Sequence, residues 1–102
     1  MEIPVNEIRP GVLKAAQLME RVLRAHDNQI GWKESSNHYL INKAFDTTDE
    51  LANIWLDIEY NVKAGPNYNE DFILTNTAAL KVIDIMNFCM MLLDNMDHEV
   101  NI

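Results

Sequence analysis

The densest run of apolar positions covers 79–96, A-L-K-V-I-D-I-M-N-F-C-M-M-L-L-D-N-M. Residues such as Val82, Ile83, Met86, Phe88, Leu92 and Met96 fall on every side of a helix drawn through it, leaving no wide polar face. A helix of that kind has to be covered on several sides. Asp84 and Asn87 interrupt the run three residues apart, and therefore on one face. A carboxylate buried in such a helix is costly unless a charge or hydrogen-bond donor meets it.

Two other segments repeat apolar residues at steps of three and four. Over 10–26, Val12, Ala15, Met19, Val22 and Leu23 follow Pro10, with Lys14, Arg21 and Arg24 mainly on the wet side, which predicts an amphipathic helix. Over 37–62, Leu40, Ala44, Leu51, Ile54 and Ile58 predict a second. The weak helix formers Thr47, Thr48 and Asp49 lie at its centre and predict a kink or break there. Ala64-Gly65-Pro66-Asn67 is a stop signal. Between the first two helices, 27–37 reads as a loop carrying Trp32, with Ser35 or Ser36 placed to cap the second helix. An acidic connection through Asn69, Glu70 and Asp71 leads to the last helix, which starts somewhere in 71–75. No strand-like alternation, internal repeat or low-complexity tract is present. The pattern predicts one all-α domain over 1–102, an antiparallel helical bundle with flexible ends at 1–9 and 97–102. A chain this short should not keep so apolar a helix to itself, so completion by oligomerisation or by a partner protein is expected.

Composition narrows the function classes. Eight basic against sixteen acidic residues give a formal charge of −8, which disfavours nucleic acid as a partner. The same surface suits a divalent cation or a basic protein partner. Lys81, Asp84 and Asn87 break the best membrane-span candidate, and no signal peptide is visible at the start, so a cytoplasmic protein without membrane contact is expected. The single cysteine, Cys89, lies in the apolar run, where a buried free thiol is ordinary. His38 and His98 have no metal-ligand spacing and read as surface residues.

Asp46, Thr47 and Glu50 share one face of the second helix, and Asp84 would face them across an antiparallel packing. Three carboxylates converging from two helices would form an oxygen-rich site suited to magnesium. The competing reading is a solvated acidic face made by Asp46, Asp49, Glu50 and Asp57.

The segment Lys43-Ala44-Phe45-Asp46-Thr47-Thr48-Asp49-Glu50-Leu51-Ala52, preceded by His26 and Gly31-Trp32 and succeeded by D-x-x-N-F-x-M-M over 84–91, resembles the all-α nucleoside triphosphate pyrophosphohydrolases of the MazG-like superfamily. The resemblance covers about 26–96. It implies hydrolysis of a nucleotide to monophosphate and pyrophosphate at a magnesium site, in a homodimer or homotetramer. Asp46, Glu50 and Asp84 stand at its metal-ligand positions, with Glu50, Asp84 and Lys81 in the catalytic set. His26, Trp32 and Asn87 stand where substrate is held. Two departures matter. Thr47 and Lys81 occupy positions where the family carries glutamates, which replaces two anionic ligands by one neutral and one cationic group. Two outcomes are open: a hydrolase with a weakened magnesium site, or a catalytically inactive relative acting as a nucleotide- or protein-binding module.

Overall fold

A computed structural model of the chain describes residues 2–26, 31–65, 68–96 and 98–102, with the side chains of 63, 64 and 68–70 outside the description. Three α-helices carry the fold: α1 (Pro10–Ala25), α2 (Asn37–Ala64) and α3 (Tyr68–Asn95). Short 3-10 turns at Val5–Glu7 and Trp32–Glu34 precede α1 and α2. Among the described residues there is no strand, and the expected all-α class holds.

Local chemistry accounts for the helix ends. Pro10 opens α1, where its missing N–H costs nothing. Ser36 caps α2, its hydroxyl oxygen accepting from the Tyr39 N–H at 3.1 Å. Gly65 ends α2 with φ 114 and ψ 161, a backbone region that only glycine enters readily. Pro66 and Asn67 of the expected stop lie outside the described residues.

Two boundaries differ from expectation. α2 runs unbroken through Thr47-Thr48-Asp49. The two threonine hydroxyls donate back to the Lys43 and Ala44 carbonyls, each at 2.7 Å, so they join the helix ladder instead of competing with it. α3 starts at Tyr68, taking the expected acidic connection into its first turn. Acidic residues suit that place because the helix dipole presents its positive end there.

The hairpin of α2 and α3 is the body of the molecule, and each of these helices is about 42 Å long at 1.5 Å per residue. Among the described residues, α1 lies against α3 and not against α2, and the Trp32–Glu34 turn also rests on α3. The core is small. Among the described residues, Leu40, Ala78 and Ile83 are the buried apolar side chains, joined by Thr47 and Asn87. Cys89, expected to be buried, is exposed instead.

Both long helices leave large apolar side chains exposed. Val82 and Leu93 on α3 and Trp55, Leu56 and Phe45 on α2 are all exposed, Phe45 at 73%. Thr48, Leu51, Ala52, Trp55, Ala78 and Val82 line a shallow apolar hollow of about 650 Å³ between the two helices. The whole chain exposes 8592 Å². A folded monomer of 11.8 kDa exposes about 5,900 Å². By length and composition alone, Asp71–Asn95 is also long and apolar enough to cross a membrane, so Lys81, Asp84 and Asn87 do not disqualify it as expected.

Candidate functional site

Helical geometry decides which of the candidate groups can meet. Successive residues advance by about 100° around a helix, so Lys81 and Asp84 project about 60° apart on α3. Lys81 faces α2, where its Nζ lies 2.6 Å from Oε2 of Glu50. The Lys81 side chain is 31% exposed and that of Glu50 is 56% exposed. A pair so open to water contributes at most about 1 kcal/mol to stability. Its consequence for ligand binding is larger. A cation placed at about 5 Å from the ammonium is opposed by about 3 kcal/mol per unit charge at an effective dielectric near 20.

Asp84 turns to the other neighbour. Together with Val22 and His26 of the α1 side it lines a cleft between α1 and α3 that also includes Asn87, Phe88 and Met91. Asp46 is exposed on α2. Thr47 is buried, with its hydroxyl bonded to its own helix. Among the described residues, no three of the His, Cys, Asp and Glu side chains are grouped so as to hold a metal ion. Asp46, Glu50 and Asp84 are thus distributed over three environments within one chain: solvent, the Lys81 pair and the α1 cleft. The antiparallel hairpin brings Glu50 to α3 as the sequence suggests, but the group it meets is Lys81.

The substrate-binding candidates also divide. His26, Asp84 and Asn87 line the same cleft. Asn87 is 4% exposed and anchors α1 to α3, its Nδ2 donating to the Met19 carbonyl at 3.4 Å. Trp32 lies instead at the C-terminal end of α3. Its indole Nε1 donates to Asp94 Oδ2 at 2.9 Å, and its carbonyl accepts from Asn95 Nδ2 at 3.0 Å. Lys33 completes this latch: Nζ lies 3.0 Å from Asp94 Oδ2 and donates to the Asp94 carbonyl at 2.8 Å. A carboxylate is unfavourable at a helix C-terminus, and the Lys33 ammonium both offsets the dipole and satisfies one of the terminal carbonyls. The Trp32 indole N–H, and then Lys33, hold the Asp94 carboxyl below its ordinary value of 3.8.

Sequence patterns did not single out Lys33, Asp94 or Asn95. Lys33 and Asp94 are 61 residues apart and neither belongs to a periodic set. The only available hint was a large aromatic in a polar loop, which is as often a plug over a bundle end as a ligand contact. His38 and His98 are exposed, as their lack of spacing suggests.

Fold and site together define a class: an acidic, all-helical hairpin domain with a lysine–glutamate pair between its two long helices. No protein-family model, curated protein or solved structure matches the chain. The likeness to the MazG-like superfamily rests on the motif residues alone.

Proposed function

We propose that the chain is a self-associating helical module of MazG-like type that binds without hydrolysing nucleotides. The observation that carries this reading is the 2.6 Å contact of Lys81 Nζ with Glu50. In the hydrolases the chain resembles, the glutamate at the Glu50 position serves a magnesium ion. Here an ammonium stands beside it and supplies the positive charge. Because that ammonium repels any cation brought close to it, a divalent ion gains less from Glu50 than from an unpaired carboxylate.

Self-association is supported by area. The chain exposes about 2,700 Å² more than a compact monomer of its mass. Obligate interfaces bury roughly 2,000–5,000 Å² over both partners, about 1,000–2,500 Å² from each, so the excess is enough for one such interface. A second copy is the occupant that fits, because exposed Trp55, Leu56, Val82 and Leu93 need covering whenever the chain is folded. A copy of the same chain is present whenever that need arises.

The test is pyrophosphate release from each dNTP and NTP with magnesium. The wild-type chain is expected to release no more than the Glu50→Ala variant. Lys81→Glu is expected to gain magnesium binding, read by calorimetry. Wild-type pyrophosphate release that disappears in Glu50→Ala would overturn the non-hydrolytic reading.

A further inference from the structure

Exposure along the two long helices follows a heptad pattern on two faces. In α2, alternating steps of four and three from Leu40 to Asn61 meet only buried or half-buried residues. In α3, alternating steps of three and four from Asp71 to Asn95 do the same. These inward tracks face each other in the hairpin, where Lys81 of the α3 track reaches Glu50 of α2. A spacing that averages about 3.5 residues keeps such a track on its partner along two supercoiled helices. The residue after each step lies about 100° further round and begins a second track. In α2 this outer track runs from Ile41 to Val62, exposed at every position, through Phe45 and Trp55 with Thr48 and Glu59 as its polar members. In α3 it runs from Phe72 to Leu93, exposed except at half-buried Met86, with Thr75 as its polar member. α1 occupies the opposite flank of α3: Leu80, Asp84, Asn87 and Met91, which line the clefts beside α1, each precede a residue of the inward track.

Each outer track covers about three heptads, roughly 33 Å of helix. On α2, Asp46, Asp49 and Asn53 border it, so the apolar stripe is narrow there. A narrow stripe at heptad spacing is a helix–helix seam, whereas a helix facing lipid is apolar over a broad arc. The two seams lie side by side on one hairpin, and the hollow lined by Trp55, Ala78 and Val82 lies between them. We infer that two copies of the chain pack hairpin against hairpin through these outer tracks and close a left-handed four-helix bundle over the hollow. The inference rests on the self-association proposed above and adds the face that makes it. A second copy brings the same two tracks at the same spacing, and the area exposed beyond that of a compact monomer is enough for one such interface. Glu59 stands in the last two turns of α2, where the rim of the bundle is wet.

Cys89, the single cysteine of the chain, lies on the α3 outer track one heptad after Val82 and serves as a reporter. The full chain is sedimented over a range of concentrations, and Cys89 is alkylated with iodoacetamide at each. The wild-type chain is expected to form dimers in which Cys89 reacts at least about tenfold more slowly than in urea, with the protection lost on dilution. Val82→Glu places a charge on the seam and is expected to give monomer. Val12→Glu on α1 and Tyr39→Glu on the far flank of α2 change equally exposed apolar residues off the seam and are expected to leave the dimer intact. The wild-type alkylation decides the question whether or not Val82→Glu folds, because a dimer made through another face leaves Cys89 as reactive as in urea. A monomer at every concentration overturns self-association itself and the bundle with it. Dimers that survive Val82→Glu, that dissociate with Val12→Glu or Tyr39→Glu, or that leave Cys89 fully reactive overturn the bundle while self-association stands. Protection of Cys89 that appears only with detergent micelles or lipid vesicles overturns it in favour of a lipid-facing seam.

Discussion

Asp94 shows how much a single side chain does in this fold. It accepts from Trp32, pairs with Lys33 and sits at the end of α3, and its carboxyl is held below 3.8 first by the indole N–H and then by Lys33. A carboxyl with a depressed folded-state pKa contributes stability that is fully present above its unfolded value and is lost as pH falls through the folded one. The latch is therefore expected to be unaffected between neutral pH and about pH 4, and to weaken only below that. Acid titration of unfolding midpoints should show a step below pH 3.8 in the wild-type chain that is missing in Asp94→Ala. A wild-type step centred above that value would contradict the assignment. Lys81 teaches a different lesson at the same scale. Its pair with Glu50 adds little stability because both groups face water, yet it changes which ions the neighbouring carboxylate can receive.

Among the elements, α2 and the turn after it are where local sequence and structure disagree or agree most informatively. Helix propensity marks Thr47-Thr48-Asp49 as a weak point, but buried Thr47 and half-buried Leu51 lie on the face packed against α3, and that packing holds the helix through them. Gly65 is the reverse case: its role was legible, since Gly before Pro at the end of a helical run needs the backbone freedom observed at φ 114. No atom crowds a Cβ at Gly65, so the cost of Gly65→Ala is conformational, about 1–3 kcal/mol. Gly11 lies in the first turn of α1 with equally open surroundings and ordinary φ. Gly11→Ala is expected to raise stability by up to about 1 kcal/mol. Thermal unfolding of the two variants should move in opposite directions; a lowered midpoint for Gly11→Ala would contradict this.

At the scale of the whole molecule, the hairpin is a framework with one side open. α1 covers part of α3, while Trp55, Leu56, Val82 and Leu93 are left in water. If that side closes on a second copy, stability must depend on protein concentration. Sedimentation of the wild-type chain is expected to show dimers or larger species that dissociate on dilution. Trp55→Glu separates the two states clearly. On a monomer it changes a half-exposed surface position and should shift stability by less than about 0.5 kcal/mol. In an assembly it places an unpaired charge in an apolar interface and should drive the species to monomer. A wild-type chain that sediments as a monomer at every concentration and unfolds cooperatively would contradict self-association, and partition into detergent micelles instead would point to a lipid-facing role for α3.

The sequence by itself pointed to three or four helices and their order, offered Ser35 or Ser36 as the cap of the second and marked the Gly65 stop, because periodicity, capping chemistry and glycine backbone freedom act over a few residues. It also marked α3 as a helix needing cover on several sides. Which neighbour each polar group on α3 would meet was decided only by the tertiary structure. A rotation of about 60° between Lys81 and Asp84 sends one to α2 and the other to the α1 cleft. The expected convergence of Asp46, Glu50 and Asp84 was a statement about faces of separate helices. Which of those faces meet depends on how α1, α2 and α3 pack together, and that packing is set by long-range contacts that no local pattern encodes.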